Sequence, residues 1–167
     1  FDDVNSHAQY HRAIEEGFTS QEALNFVNMR SRDNTRTPMH WDDSINAGFS
    51  EHETWIKMNP NYKDINVKSQ MHDEYSILQF YKQMIQVRQK SIASNVLVEG
   101  QFVALKTDDD IIAYQRVYQQ QKVTVYCNFS NHDVEIELKN GEVLLNNYTV
   151  KYDTKLLPYQ TLVIYED

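Results

Sequence analysis

The first thirty residues carry a helical pattern of apolar and polar positions. Apolar side chains return every three or four residues up to Gly17, which predicts one helix that ends at this glycine. Thr19 then stands three residues before Glu22, which is the spacing of a capping box, and it predicts a second helix that runs to about residue 30. Both helices are short, so we expect their apolar faces to need a partner.

Residues 31–66 show neither a helical nor a strand period. The stretch holds both tryptophans, two of the three prolines and one of the four glycines. An irregular run of this length is uncommon in a compact domain and is typical of a functional loop or of disorder. Large apolar groups that need burial argue against disorder, so the sequence predicts an ordered, packed loop. These groups are Trp41, Phe49, Trp55, Ile56 and Tyr62.

The helical period returns over residues 73–90, where an apolar stripe predicts an amphipathic helix capped by Asp73 or Ser76. From residue 96 onward the period changes to two, and Gly, Asn, Ser and acidic residues mark turns between the apolar runs. This pattern predicts an α+β chain that ends in a small antiparallel β-sandwich. The predicted strands are 96–99, 101–105, 111–118, 122–128, 134–138, 143–146 and 161–165.

Composition and charge narrow the class of protein. The chain has 167 residues, of which 41% are hydrophobic and 24% charged, as in ordinary globular proteins. Its net charge of −8 argues against nucleic-acid binding, which needs a basic face. No apolar run is long enough for a membrane span, and no signal peptide is visible in the first residues of the chain. Because the chain begins with Phe1 rather than Met, we expect it to be a piece of a longer protein.

A single cysteine, Cys127, lies in an apolar run and cannot form an internal disulfide. We expect an inert, packed thiol, and this cysteine usage fits a reducing compartment, so a cytoplasmic location is predicted. His7 and His11 stand four residues apart, which could place both on one helix face. No third ligand is in sight, so neither a metal nor a cofactor is expected.

Three arginines cluster where the irregular stretch begins. Arg30, Arg32 and Arg36 lie within seven residues of one another, with Asp33 among them. A guanidinium is a planar fork of donors that pairs with carboxylates or with adjacent hydroxyl groups, and it must be paired if it is buried. We expect Arg30 and Arg32 to fix the loop to acidic neighbours.

Residues 31–50 read SRDNTRTPMHWDDSINAGFS, and residues 54–67 read TWIKMNPNYKDINV. These runs resemble a signature of glycoside hydrolase family 13, the α-amylase superfamily. The resemblance is to its branch of oligo-1,6-glucosidases, dextran glucosidases and trehalose-6-phosphate hydrolases. There the runs typically read R-D-N-x-R-T-P-M-Q-W-D, N-A-G-F and P-W-I-x-V-N-P-N-Y-x-x-I-N. This chain departs from them at His40, which replaces the usual Gln, and at Thr54, which replaces the usual Pro.

The resemblance covers nearly the whole chain and implies a fold. Residues 1–92 would be the helical C-terminal end of a (β/α)8 barrel, with 73–90 as the last barrel helix. Residues 95–167 would form the all-β domain that follows. The parent protein would be a retaining α-glucosidase that cleaves α-glucosidic bonds, expected to be α-1,6, at the non-reducing end of short oligosaccharides. A trehalose-6-phosphate hydrolase is the alternative parent.

In enzymes with this motif, the second arginine reaches the O4 side of the glucose at the non-reducing end. The resemblance assigns this role to Arg36, because a guanidinium fork suits the vicinal hydroxyl groups of a sugar. It assigns supporting roles around this arginine to Asp33 and Trp41. The departures at His40 and Thr54 do not fall on these residues.

The catalytic carboxylates of such an enzyme are not expected in this chain. A retaining glycosidase needs a nucleophile and an acid about 5 Å apart, and neither family motif is found here. Residues 131–133 do spell Asn-His-Asp, but they stand at a turn between predicted strands and are not assigned to catalysis. We therefore expect the chain to be inactive alone, with its catalytic groups in a missing N-terminal portion of the barrel.

A rival hypothesis treats the chain as a carbohydrate-binding or interaction module whose strand tyrosines stack on sugars. Aromatic residues that alternate along strands are more often half-buried sheet residues, which counts against it. If the barrel is missing, apolar faces of residues 1–90 are left open, and self-association is expected. The tyrosines in question are Tyr114, Tyr118, Tyr126, Tyr148, Tyr152 and Tyr159.

Overall fold

The computed structural model describes residues 3–137, 139–149 and 154–167. The chain forms two compact units, Phe1–Asp73 and Glu74–Asp167. The helix before the strands belongs to the second unit, whereas the sequence assigns it to a barrel domain that ends near residue 92. That boundary concerns the parent protein and stays a prediction.

The first unit opens with two helices, α1 (Val4–Glu15) and α2 (Ser20–Arg30), as the periodicity predicts. Gly17 lies between them with φ +92°, a conformation that favours glycine. Thr19 begins α2 with a complete capping box, because its hydroxyl oxygen accepts from the Glu22 N–H while the Glu22 carboxylate accepts from the Thr19 N–H. The two helices bury small side chains, which allows them to pack closely. These are Ala13, Ala23 and Val27.

The predicted irregular loop follows, with short 3₁₀ turns at Arg32–Thr35 and Pro60–Lys63 and, at Ile45–Gly48, a turn with left-handed residues. Helix α3 (Val67–Met71) ends it, and its first two N–H groups donate to the carbonyls of His40 and Trp41 at 2.9 and 3.0 Å. These bonds close the loop into one ordered segment.

The expectation that the large apolar groups of this loop are buried is wrong for three of them. Trp41 and Phe49 are half exposed, and Trp55 is 71% exposed. Ile56 and Tyr62 are half-buried. Within the described residues these three rings are packed against little else. The order of the loop therefore comes mainly from its own hydrogen bonds.

The second unit begins with α4 (Ile77–Lys90), which is shorter at its start than the predicted 73–90. The Ser76 hydroxyl accepts from the Gln79 N–H, so Ser76 rather than Asp73 caps the helix. No residue of α4 is buried, and Tyr81 and Ile85 on its apolar stripe are more than half exposed. The face that the sequence assigns to a barrel sheet is therefore open in this chain.

The strand predicted at 96–99 is wrong, because Ser94–Glu99 forms a short helix, α5. Val96 is fully buried there in a core with Val123 and Val125, so tertiary packing overrides the preference of valine for strands. Gly100 ends the helix. A Cβ at this position would lie 2.3 Å from the Val96 carbonyl oxygen, so only glycine fits the turn.

Five strands form one antiparallel sheet in the order β1-β2-β3-β7-β5, and two short strands, β4 and β6, pair separately. Central strands β3 and β7 bury side chains on both faces, which gives two cores. Helices α4 and α5 cover one face of this sheet, and the β4–β6 pair covers the other. The predicted sandwich is confirmed, with the helices as an additional layer. The predicted strand 134–138 is shorter than expected, and residue 138 lies outside the described residues. The strands are β1 (Gln101–Ala104), β2 (Ile111–Tyr118), β3 (Gln121–Asn128), β4 (Val134–Glu135), β5 (Glu142–Asn146), β6 (Lys155–Leu156) and β7 (Thr161–Glu166).

Candidate functional site

A buried polar network joins the start of α1 to the start of the loop. Asp3 precedes α1 and is only 3% exposed, but its carboxylate makes no capping bond to the helix backbone. It accepts instead from Arg32 Nε at 3.0 Å and from the Ser6 hydroxyl at 2.9 Å. The hydroxyl oxygens of Ser6 and Ser31 are 2.9 Å apart. The expected pairing of Arg32 with an acidic neighbour is confirmed.

Asp33 belongs to the same network and is 6% exposed. Its Oδ2 accepts from the Asp3 N–H at 3.1 Å, and its own N–H donates to the Ser31 hydroxyl oxygen at 3.2 Å. Position and orientation of this carboxylate are therefore fixed by α1 and by the turn that begins the loop. The hydrogen bond from Arg32 is the main reason that the pKa of Asp3 lies below its ordinary value, although burial opposes this shift.

Arg36 follows the first 3₁₀ turn, and its N–H donates to the Asp33 carbonyl oxygen at 3.1 Å. Its Nη1 lies 3.6 Å from Asp33 Oδ1, and the side chain is 40% exposed. At 3.6 Å this contact is an ion pair longer than a hydrogen bond, and part of the donor fork of Arg36 stays accessible. This arrangement can present fixed donors to a ligand with adjacent hydroxyl groups.

Trp41 lies further along the loop and is hydrogen-bonded to a turn whose backbone is strained. Asn46, Ala47 and Gly48 have φ of 53°, 54° and 65°, so three successive residues are left-handed. The Ala47 carbonyl oxygen accepts from the N–H groups of Trp41 and Asp42 at 2.9 and 3.2 Å. This turn fixes the Trp41 backbone, while its ring is half exposed. Backbone strain of this kind collects at functional sites.

His40, one of the departures from the family pattern, has a clear local role. Its Nδ1 lies 3.1 Å from the Ile65 carbonyl oxygen, and its ring makes an edge contact with Tyr62 at 6.0 Å between centroids. The imidazole therefore links residue 40, within the loop, to the C-terminal end of the loop. At Thr54, the other departure, the hydroxyl donates to the Ile56 carbonyl oxygen at 2.7 Å, a local contact that also stabilises the loop.

The remaining sequence candidates lie elsewhere. His132 follows β3 at a turn, with its Nε2 3.4 Å from Asp110 Oδ2, and Asp133 pairs with Lys155. Residues 131–133 therefore make structural contacts within the second unit. Cys127 is half-buried and accepts from the Thr161 hydroxyl at 3.6 Å. Within the described part of the chain, no three His, Cys, Asp or Glu side chains gather as a metal site. No described helix has both the length and the apolar content of a membrane span.

The tyrosines of the rival hypothesis differ in exposure. Tyr126 is buried in the sheet, so it cannot stack on a sugar. Tyr114, Tyr118 and Tyr148 are half-buried, and Tyr159 is exposed. Tyr152 lies outside the described residues.

Sequence reasoning missed Asp3 and Ser6. Both act through partners about 25 to 30 positions away in the chain, and no periodic signal marks such contacts. Asp3 alone would be read as a helix cap, because it directly precedes α1.

Two helices, an ordered loop that carries Arg36, and a β-sandwich follow one another along the chain, in the order that the sequence resemblance predicts. The family described as alpha amylase, catalytic domain, matches residues 5–100, more than half of the chain. The chain belongs to this family.

Similar proteins support the assignment. Oligo-1,6-glucosidase of Bacillus cereus is 34% identical over 163 residues, which cover 91% of this chain and 29% of that protein. Trehalose-6-phosphate hydrolase of Bacillus subtilis is 31% identical over 173 residues, covering 96% and 30% respectively. The crystal structure of isomaltulose synthase from Klebsiella sp. LX3 is 32% identical, with a TM-score of 0.87 over 99% of this chain and 31% of the other. The chain thus spans less than a third of the length of these relatives.

Proposed function

We propose that the intact protein is a retaining α-glucosidase and that this chain supplies its substrate-orienting arginine, Arg36. The observation that carries the proposal is the Asp33–Arg36 pair, in which a buried carboxylate holds a guanidinium that is still 40% exposed. An ion pair with a buried carboxylate restricts the side chain of Arg36, which lowers the ordering cost when its donor fork meets a sugar hydroxyl pair. The names of the relatives agree, because they include oligo-1,6-glucosidases and glucan 1,6-alpha-glucosidases.

The bond-breaking carboxylates are proposed to lie in the part of the parent protein outside this chain. The relatives are more than three times longer than the region that they share with this chain. A covalent glucosyl-enzyme would form there on a nucleophilic carboxylate, with a second carboxylic acid protonating the leaving oxygen. Arg36 would hold the O4 side of the glucose, so that the glycosidic bond points at those groups.

The test is mutagenesis of Arg36 in the full-length parent enzyme, with isomaltose as substrate. We expect Arg36→Ala to lower kcat/KM by about 10- to 100-fold, the range for a lost hydrogen bond to a charged group. Arg36→Lys keeps the charge but loses the fork, so it should not restore activity. Arg12→Ala is the control, because the Arg12 side chain is 81% exposed and forms its ion pair with Glu16 of the following helix turn. Retention of more than half of the wild-type kcat/KM by Arg36→Ala would disprove the role.

Asp33 is proposed as a positioning residue that acts through Arg36. Asp33→Asn keeps the size of the side chain and removes its charge, so Arg36 loses its ion pair while the fold is largely retained. We expect KM for isomaltose to rise more than kcat falls, because the ground-state contact becomes less well fixed. In the double variant Asp33→Asn/Arg36→Ala the Asp33 change should add nothing further. Two fully additive losses would contradict a positioning role.

We favour cleavage of α-1,6 bonds as the specificity of the parent enzyme. Hydrolysis of trehalose 6-phosphate is the alternative. Both rest on the names of relatives, since the trehalose-6-phosphate hydrolase covers the chain as fully as the glucosidases do. A panel of isomaltose, dextran ends and trehalose 6-phosphate with the full-length protein separates them. A product analysis for isomaltulose covers the activity named by the similar crystal structure.

The isolated chain is proposed to be inactive and to have the rest of the barrel as its natural partner. Its exposed apolar side chains include Val4, Met29 and Trp55, each more than 70% exposed. Apolar surface of this kind favours association, so self-association is proposed for the chain alone. A cytoplasmic location is proposed from the single cysteine.

A further inference from the structure

A cavity of about 400 Å³ lies in the second unit, between the start of α4 and the end of β5. Its volume falls in the range of about 300–1,000 Å³ that small-molecule sites occupy. It is separate from the loop that carries Arg36, because every residue that lines it belongs to Glu74–Asp167. Neither the sequence motif nor the proposed reaction gives it a role.

One wall of the cavity is rigid. Asn147 is tied on both sides, since its Oδ1 accepts from the Thr161 N–H at 2.7 Å and its Nδ2 donates to the Tyr159 carbonyl oxygen at 2.9 Å. The Tyr148 hydroxyl donates to the Pro158 carbonyl oxygen at 2.7 Å. These bonds fix the wall before any ligand arrives, which lowers the entropic cost of binding.

The opposite wall carries the groups that could recognise a ligand. Glu74 offers a carboxylate acceptor, and Gln83 offers an amide with both donors and an acceptor. Tyr75, which precedes α4 and is 73% exposed, and Phe80 of α4 also line the cavity, so aromatic as well as polar groups are available there. A sugar ring has a similar division, with hydroxyl groups at its edge and apolar C–H groups on its faces.

The charge of the cavity favours a neutral ligand. Among the described residues that line it there is one carboxylate, Glu74, and no cation. The N-terminus of α4 favours an anion in principle, but Ser76 already accepts from one of its N–H groups and Glu74 lies two residues before that cap. A phosphate group would therefore meet a carboxylate without a compensating lysine or arginine.

We propose that this cavity is a binding site for a neutral glucosyl disaccharide, held by Glu74, Tyr75 and Gln83 against the wall of Asn147 and Tyr148. The site needs no catalytic carboxylate pair, and it does not depend on the role proposed for Arg36. It would let the second unit, Glu74–Asp167, retain a glucan while another part of the enzyme cleaves it.

The experiment is a titration of the ¹⁵N-labelled chain with isomaltose and maltose. We expect saturable shifts of the side-chain amide signals of Gln83 and Asn147, with Kd in the millimolar range, about −4 kcal/mol. Tyr75→Ala and Gln83→Ala should each raise Kd at least about fivefold. Tyr81→Ala is the matched control, because Tyr81 is also an exposed tyrosine, at 58% against 73% for Tyr75, and does not line the cavity.

The outcomes separate this site from the proposed function. Arg36→Ala should leave the titration unchanged, whatever it does to the parent enzyme. Glucose 6-phosphate should bind more weakly than either disaccharide, and tighter binding would overturn the assignment to a neutral sugar. Absence of saturable shifts in the Gln83 and Asn147 amides, or an equal loss in Tyr81→Ala, would overturn the site itself.

Discussion

Replacing Gly48 with alanine should destabilise the first unit, because two independent features require glycine there. The residue has φ +65°, and a Cβ at this position would lie 2.9 Å from Asp42 Oδ1 and 3.0 Å from its Cγ. That carboxylate already accepts from the Ser44 N–H at 2.9 Å, so it cannot move away without losing this bond. Gly48→Ala therefore combines backbone strain with a steric contact.

The expected magnitude follows from the backbone. A left-handed conformation costs an L-residue about 1–2 kcal/mol. The contact with Asp42 adds to this cost, since the two N–H groups that donate to the Ala47 carbonyl oxygen hold the turn in place. In a unit of this size, 1 kcal/mol lowers Tm by about 4–8 °C, so we expect a loss of at least about 4 °C.

The assay is urea unfolding followed by tryptophan fluorescence. Trp41 and Trp55, the two tryptophans of the chain, both lie in the first unit, so the signal reports on that unit alone. Gly17→Ala is the matched control, because Gly17 has φ +92° but no heavy atom within 4 Å of the added Cβ. It should show a backbone cost without a steric part.

A double-mutant cycle with Asp42→Ala isolates the contact. In the double variant the new methyl group meets no carboxylate, so the loss should be smaller than the sum of the two single losses. The reasoning is refuted if Gly48→Ala costs less than about 0.5 kcal/mol, the ordinary range for a surface substitution. It is refuted equally if the two losses are strictly additive.

Three further results are expected. The pKa values of Asp3, Glu22 and Asp42 are lowered, chiefly by hydrogen bonds to their carboxylates, so the stability that these groups contribute is complete above about pH 5 and is lost as the pH falls further. Urea unfolding between pH 6 and 3 would show a flat profile if this is wrong. Leu156→Ala should cost about 2–5 kcal/mol in the second unit, because its side chain is fully buried; amide exchange in β3 measures it, and an unchanged protection would contradict the packing. Sedimentation of the isolated chain should show self-association that grows with concentration, and a strictly monomeric profile would count against the exposed faces as association surfaces.

Local signals in the sequence predicted the elements that depend on local physics. The capping box at Thr19 begins α2 where expected, and the two-residue alternation locates β2 and β3 almost to the residue. These features need only neighbours within four positions, or a pleat that repeats every two. For the same reason the predicted extent of α4 is correct except at its start. Both Asp73 and Ser76 are residues that can cap a helix, and the sequence does not decide between them.

Tertiary contacts decided what the sequence could not. Residues 96–98 read as a strand because valine is common there, but Val96 fits a core that forms only when β3 and β7 are in place. Asn-Gly pairs commonly join the two strands of a hairpin, but Asn140-Gly141 does not, since β5 pairs with β7 and β4 with β6. Gly141 is needed for another reason, because a Cβ there would lie 2.3 Å from the Tyr165 carbonyl oxygen.

The loop that carries Arg36 inverts the usual division between buried and exposed groups. Its polar anchors Ser31, Asp33 and Asn66 are buried, whereas its rings Trp41 and Trp55 are exposed. Such a loop can keep its shape even when its rings are not packed against a partner. Any rearrangement would leave a buried polar group without its hydrogen bond, which costs free energy. The position of Arg36 relative to α1 should therefore be set by this chain alone. Contact with a sugar would also need the part of the parent protein that covers the exposed rings.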